Sequence, residues 1–343
     1  RRNSDAAARR PYQMKPFFIV GPTAAGKSEI VSEIARQLNA EIVNADAFQI
    51  YRGLDLLTAK PDHTTLATAP HHLLSAVPLS EEMSVEKFRA AAVEAIRDIQ
   101  ARGKNVIVAG GSGLYVKALT HGLSRLPGAD PTLRAQLSEL TLDELCGQLG
   151  ALDPAAVREI DLKNRRRVTR ALEICLLTGK PVSEQRVRAV AASLGEASLR
   201  PAEKRGNHAS HSSESFRESG NEAATGVFVV RERAELYERI DRRVERMFAE
   251  GVVEEVRRLG NLSATAEKAL GLHEIRALLA GETSQARCIA QIQRATRRYA
   301  KRQLTWFQRQ DNFEPLNLSS HGFPEAIELI TQTARRAFAQ RDV

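Results

Sequence analysis

The octapeptide Gly21-Pro22-Thr23-Ala24-Ala25-Gly26-Lys27-Ser28 constrains this chain more than any other stretch. It has the spacing of a phosphate loop and it sits in the right context. Before it lies a short apolar run that stops at glycine, Phe17-Phe18-Ile19-Val20, which reads as a buried parallel strand. After it, Ile30, Val31, Ile34 and Leu38 recur at helical spacing. In strand–loop–helix order the glycines let backbone N–H groups turn inward around an anion at a helix N-terminus. Lys27 adds a point charge for the outer phosphate, and the Ser28 hydroxyl can hold Mg²⁺. The whole stretch Gly21 to Ser28 is therefore the predicted diphosphate site. The pattern does not choose among kinases, ATPases and transferases with a diphosphate leaving group.

Further strand runs follow. Glu41-Ile42-Val43 leads into Asn44-Ala45-Asp46, and Asn105 to Ala109 ends in Gly110-Gly111-Ser112-Gly113, after an amphipathic helix predicted over 85–101. Val227 to Val230 resumes the pattern much later. Strands alternating with helices predict an α/β fold, a P-loop parallel sheet flanked by helices. Between 127 and 194 the strand pattern gives way to helical periodicity, which predicts an inserted helical domain. Residues 195–226, rich in Ser, Gly, Glu and Asn, hold too little apolar surface to fold alone and read as a flexible loop. The catalytic core is thus expected from 16–126 and 227–312, with 313–343 as a C-terminal helical tail. The Arg-rich residues preceding Met14 include Asp5 and are too few for a transit peptide, so 1–15 read as a flexible N-terminal extension.

A chain of 343 residues can bury a full core and suggests roughly two domains. No apolar run nears the roughly 18 residues that span a bilayer, so no membrane partner is expected. Cys146, Cys175 and Cys288 are widely separated and form neither a metal-type pair nor a disulfide framework, which points to a reducing cytoplasm. A net charge of +8 favours a polyanionic partner. The basic residues cluster: Arg165-Arg166-Arg167 with Arg170, and Arg294, Arg297, Arg298, Lys301 and Arg302 at helical spacings. Such clusters are either solvated faces or phosphate contacts that release counterions on binding.

Several motifs in order resemble the tRNA dimethylallyltransferase family. They are Asn44-Ala-Asp46-Ala-Phe-Gln49-Ile-Tyr51-Arg-Gly53-Leu-Asp55, Thr58-Ala-Lys-Pro61, His71-His72, and Ala109-Gly-Gly-Ser-Gly-Leu-Tyr115. Later come Arg170-Ala-Leu-Glu173, Thr178-Gly-Lys-Pro181, Arg239-Ile240 with Arg243, and Ala300-Lys-Arg-Gln303 followed by Thr305-Trp306-Phe307. The resemblance covers about residues 16 to 310 and departs from the family at Ala47 (usually Ser), Leu57 (Gly), Ser112 (Thr) and Leu272-His273 (Tyr-Lys).

What the resemblance implies is transfer of a dimethylallyl group from dimethylallyl diphosphate to the adenine immediately 3′ of the anticodon, in tRNAs reading codons that begin with U. The exocyclic amine of adenine is a poor nucleophile, so the reaction needs a base, an ionisable leaving group and tight alignment. Asp46 takes the role of base by resemblance, although a carboxylate there can also hold Mg²⁺ or cap a helix. Thr23 and an arginine, Arg239 before Arg243, are expected to serve the departing diphosphate. The tRNA anticodon stem-loop is expected at Asp46, Ala47, Phe48, Gln49, Ser112, Arg134, Arg166, Arg167, Arg170, Lys268 and His273. Trp306 reads as a core anchor before a stacking platform. A monomer is expected. The alternatives are an adenylate isopentenyltransferase acting on free AMP, a P-loop small-molecule kinase, and a P-loop RNA-binding protein without transfer chemistry.

Overall fold

The computed structural model describes residues 16–123, 126–185 and 226–339. The expectations for 1–15, for 186–194 at the end of the insertion and for 195–225 lie outside the described residues. Two compact units divide the chain, one built from Arg1–Leu119 with Glu218–Val343 and the other from Thr120–Arg217.

The first unit is a six-stranded parallel sheet. Its strands are β1 (Phe17–Val20), β2 (Ala40–Asn44), β3 (His71–His72), β4 (Asn105–Gly110), β5 (Gly226–Val230) and β6 (Phe313–Asn317), in the order β3-β2-β4-β1-β5-β6. β1 lies inside, between β4 and β5. Phe17 and Ile19 join the core on one face while Phe18 and Val20 join the core on the other, and all four are buried. A strand covered on both faces has no polar side to alternate, which is why it reads as an unbroken apolar run.

Its helices are α1 (Lys27–Gln37), α2 (His63–Thr68), α3 (Val85–Ala101) and α4 (Gly113–Thr120). On one face of the sheet, Ile30 and Ile34 of α1 pack with Phe17, Ile19 and Ile107; on the other, Phe88, Ile96 and Ile99 of α3 pack with Val106 and Val108. Each such large apolar side chain contributes about 1.5–3 kcal/mol by leaving water.

The second unit holds α5 (Pro131–Glu139), α6 (Leu142–Leu152), α7 (Pro154–Glu159) and α8 (Arg165–Thr178) around Leu137, Leu145, Leu149, Val168, Leu172 and Ile174. Each helix opens on a side-chain cap: Asp130, Thr141, Asp153 and Asn164 accept the N–H groups of Leu133, Glu144, Ala156 and Arg167. Caps of this kind stabilise by about 1 kcal/mol each.

From β5 the chain returns to the first unit with α9 (Arg233–Ala249), α10 (Val252–Arg257), α11 (Leu272–Leu279), α12 (Gln285–Phe307) and α13 (Phe323–Ala339). Two boundaries need correction. Gly226, placed at the end of a flexible loop by composition, is the first residue of β5 and pairs with Phe18. The segment from 313 onward is helical only over Phe323–Ala339; Phe313–Asn317 is the edge strand β6, paired with β5. Pro315 obscured it, since proline donates nothing to a ladder and is tolerated on an edge. Helix α13 then buries Ile327, Ile330 and Ala334 in the same core as α1, with Phe338 edge-on to Phe17 at 6.1 Å.

Candidate active site

The phosphate loop leaves β1 and turns into α1 through Gly26, whose φ of 92° belongs to the left-handed region that glycine alone enters cheaply. Basic side chains surround the loop. Lys27 Nζ donates to the carbonyls of Gly21 (2.9 Å) and Pro22 (2.7 Å). Burial lowers the Lys27 ammonium to about 8; nearby Asp46 opposes that shift and Arg243 adds to it. Arg239 Nε donates to Ala24 O (2.9 Å) and Arg231 Nε to Ala25 O (2.8 Å). Arg243 reaches further in. Its Nη1 donates to Thr23 Oγ1 (2.6 Å) and its Nη2 to Thr58 O (3.0 Å). Burial lowers its guanidinium to about 10, with Asp46 opposing.

Arg239 and Arg243 stand one helical turn apart on α9, and spacing alone cannot rank them. Arg243 meets the Thr23 hydroxyl, whereas Arg239 meets the loop at its Ala24 carbonyl.

Asp46 follows β2 directly. Its Oδ1 accepts the N–H groups of Phe48 (2.9 Å) and Gln49 (3.2 Å), which leaves the other carboxylate oxygen to the cleft that Asp46 lines. No helix starts here, so these bonds close a turn rather than cap a helix, and one oxygen remains for the role of base. Ala47 N donates to Ser112 Oγ (2.9 Å), and Ser112 N donates to Ala45 O (3.2 Å), tying the end of β2 to the loop after β4. That approach needs glycine at 110, where a Cβ would lie 2.3 Å from Ala45 O. The Tyr299 phenol lies against Ser112, its pKa raised by burial and by Asp46. Gln49 Nε2 donates to the carbonyls of Thr58 (3.2 Å) and Ala59 (3.1 Å), holding the Thr58–Pro61 motif over the same space.

The result is one cleft of about 640 Å³, with Thr23, Lys27, Asp46, Arg239, Arg243 and Gln303 among its walls. Anion donors, cations and a carboxylate share its walls. Such a cleft can hold a diphosphate, stabilise charge that develops on it, and take a proton from a nucleophile beside it.

Three residues here were not assigned roles from sequence. Gln303 Oε1 accepts the Thr23 N–H (2.9 Å) and its Nε2 donates to Gly111 O (2.9 Å). A readable signal existed, a polar residue on the buried stripe of α12. Glu255 accepts three successive N–H groups, those of Asp55 (2.9 Å), Leu56 (2.8 Å) and Leu57 (2.9 Å). Arg231, held by Glu235, is the third. Neither of these last two stands out by pattern.

The residues expected at tRNA fall into distinct groups. Ala47, Phe48, Gln49 and Ser112 are half-buried beside Asp46, and Arg166, Arg167, Lys268 and His273 are exposed. Arg134 and Arg170 share a carboxylate partner. Both pair with Glu173, whose side chain is fully buried, at 3.0 and 2.6 Å, and Arg170 also donates to Gly128 O. On α12, Arg294, Arg298, Lys301 and Arg302 are exposed, but Arg297 pairs with Asp241 and lies over the Tyr237 ring at 5.4 Å. Trp306 packs against Gly113, where a Cβ would meet its ring at 2.5 Å, and edge-on to Phe307. Two departures from the family pattern fill core. Leu57 and Leu272 are both buried, and Leu57 Cδ1 lies 3.1 Å from where a Gly271 Cβ would be.

Fold and cleft define a P-loop α/β protein with an arginine-lined phosphate loop facing a carboxylate. Residues 49–310 match the family model described as IPP transferase. A tRNA dimethylallyltransferase of Akkermansia muciniphila is 39% identical over 311 residues, covering 91% of this chain and 96% of its own. One from Anaeromyxobacter dehalogenans is 42% identical over 304 residues, covering 87% and 93%. The crystal structure of a full-length tRNA isopentenylpyrophosphate transferase from Bacillus halodurans is similar with a TM-score of 0.65 at 31% identity, covering 96% of this chain and 98% of that one. This chain belongs to the IPP transferase family.

Proposed function

We propose that the protein transfers the dimethylallyl group of dimethylallyl diphosphate to the exocyclic amine of adenine 37, immediately 3′ of the anticodon, in tRNAs reading codons that begin with U. The observation that carries this reading is that Arg243 binds the Thr23 hydroxyl within the cleft that Asp46 lines, in a member of this family. The bond from the amine nitrogen to the prenyl carbon forms as the carbon–oxygen bond breaks. Its electron pair leaves with the diphosphate, and the amine proton goes to Asp46. The phosphate-loop N–H groups, Lys27, Thr23 and Arg243 meet the charge that grows on the leaving group, where preorganised donors act most strongly. Arg239 supports them through Ala24.

Mg²⁺ fits this site. Ser28 lines the cleft at the start of α1, and among the described residues no cluster of three or more His, Cys, Asp or Glu could hold a metal by protein groups alone. Ser28 would hold the ion through its hydroxyl. When bound it supplies neutralising charge on the diphosphate.

The anticodon stem-loop is the part of tRNA that carries the target adenine, which must leave its stack to be reached. Exposed Arg166, Arg167 and the α12 cations supply phosphate contacts for it. None of the described helices is long and apolar enough to cross a membrane. The free thiols of Cys146, Cys175 and Cys288 suit a reducing cytoplasm, and the protein is taken to act as a monomer.

The test is the location of the product. An unmodified tRNA transcript reading a codon beginning with U is incubated with enzyme, Mg²⁺ and dimethylallyl diphosphate, then digested and weighed. The prenyl mass is expected on the adenine 3′ of the anticodon. Its presence on another nucleotide, or on none, contradicts the proposal.

A further inference from the structure

The Ala300-Lys-Arg-Gln303 motif has no part in the chemistry above, yet its glutamine lies at the centre of the site. The buried stripe of α12 runs Cys288, Ile292, Thr296, Ala300, Gln303, Phe307. Thr296 satisfies its hydroxyl within the helix, on Ile292 O. Gln303, only 5% exposed, turns both ends of its amide outward from the helix instead. Oε1 takes the Thr23 N–H of the phosphate loop and Nε2 donates to the Gly111 carbonyl of the loop after β4.

These two loops leave neighbouring strands, β1 and β4, and carry opposite halves of the reaction. The first presents Thr23 to Arg243. The second presents Ser112, which holds the Ala47 N–H next to Asp46. One planar amide thus spans the leaving-group side and the base side. A Cβ at Gly111 would lie 2.3 Å from Nε2 and 3.0 Å from Gly21 O, so a side chain there would push the Gln303 amide aside. Few side chains can replace this group. Reading one N–H and one carbonyl together takes an acceptor and a donor on the same head; carboxylates offer only acceptors, lysine only donors.

We propose that Gln303 is a positioning residue that sets the distance between the phosphate loop and the Gly110–Gly113 loop, and so between Thr23 and Asp46. This rests on the function proposed above. A shift of about 1 Å between reacting groups costs on the order of 10²-fold in rate.

The experiment compares wild type with Gln303→Met, similar in shape but without the paired amide, and Gln303→Glu, which keeps an acceptor for Thr23 and sets a second oxygen against the Gly111 carbonyl. Three quantities are read: kcat for tRNA prenylation, affinity for dimethylallyl diphosphate, and amide hydrogen exchange in the peptides around 21–28 and 109–116. For Gln303→Met the expected result is a kcat lower by about 100-fold. Diphosphate affinity should change less than about threefold, as for an interaction used in alignment rather than binding. Exchange should rise in both loops together. In Gln303→Glu exchange should rise around Gly111 and stay low around Thr23.

Wild-type kcat in Gln303→Met would overturn the proposal, as would exchange that rises, in Gln303→Met, in one loop alone or across the whole sheet. A loss of affinity that matches the loss of kcat/KM would make Gln303 a binding residue and overturn it too. If wild type moves no prenyl group to tRNA, the function fails instead, and the exchange pattern still decides whether Gln303 couples the loops.

Discussion

Arg243 donates from Nη1 to the Thr23 hydroxyl at 2.6 Å and from Nη2 to the Thr58 carbonyl at 3.0 Å, so one guanidinium joins the phosphate loop to the segment that covers it. Arg239, one turn earlier on the same helix, donates to the loop at the Ala24 carbonyl and lies beside Gly26. Replacing Arg243 by alanine should lower kcat by about 10²- to 10³-fold, the loss typical of one donor to developing negative charge. Arg239→Ala should cost clearly less. Because Thr23 and Arg243 act as a unit, Thr23→Ala combined with Arg243→Ala should be little worse than Arg243→Ala alone. Steady-state kinetics of the three variants check this, and strict additivity would separate the two residues.

Asp46 offers a cleaner dissection, because its two oxygens have different work. Asparagine at this position keeps an acceptor for Phe48 N and Gln49 N but cannot take a proton. Asp46→Asn should therefore melt close to wild type while the single-turnover rate falls by about 10²- to 10⁴-fold. Asp46→Ala should lose the same rate and also about 1 kcal/mol of stability, the usual net worth of hydrogen bonds of this kind. A wild-type rate in Asp46→Asn would remove this residue from the role of base.

The depressed Lys27 ammonium makes a pH prediction. In the free enzyme it titrates at about 8, because burial disfavours its charge. A bound diphosphate favours the charged form, so its pKa rises on binding. At pH 9 the free amine is mostly neutral and binding should take up close to one proton; at pH 7 it is already charged and uptake by Lys27 should vanish. Calorimetric titration in two buffers of different ionisation enthalpy measures the uptake, and Lys27→Met should abolish it. Equal uptake at both pH values would contradict the assignment.

Arg134 and Arg170 should behave as structural residues. Each pairs with the fully buried Glu173, and Asp130 N adds a further hydrogen bond at 2.9 Å. Removing both arginines strands a buried carboxylate, at a cost of about 3–5 kcal/mol. Arg134→Ala with Arg170→Ala should thus lower the melting temperature of the helical unit. Arg166→Ala with Arg167→Ala, both at exposed positions, should leave melting unchanged and weaken tRNA binding with a shallower salt dependence. Thermal melts and binding titrations at two salt concentrations distinguish the pairs.

What sequence disclosed and what it withheld divide along physical lines. Strands β1, β2, β4 and β5 are buried on both faces, so apolar runs announced them. β3, two residues long, has no period to detect, and Pro315 hid β6. The phosphate loop was legible because its spacing is local. The roles of Arg239 and Arg243 were not, since both lie on one face of one helix and only the tertiary path of the loop tells them apart. Gln303 acts on groups some 280 and 192 positions away in the chain, a relationship no local pattern encodes. For Arg134 and Arg170, charge was visible but its partner was not: Glu173 reads as an ordinary helix carboxylate until burial shows what it neutralises.

The most direct test of the central claim is transfer of labelled dimethylallyl from its diphosphate to unmodified tRNA, with AMP as a second acceptor and Asp46→Asn in parallel. The account predicts label on tRNA, none on AMP, and loss of the signal in the variant. Label on AMP alone, or ATP turnover with label on neither acceptor, would contradict it.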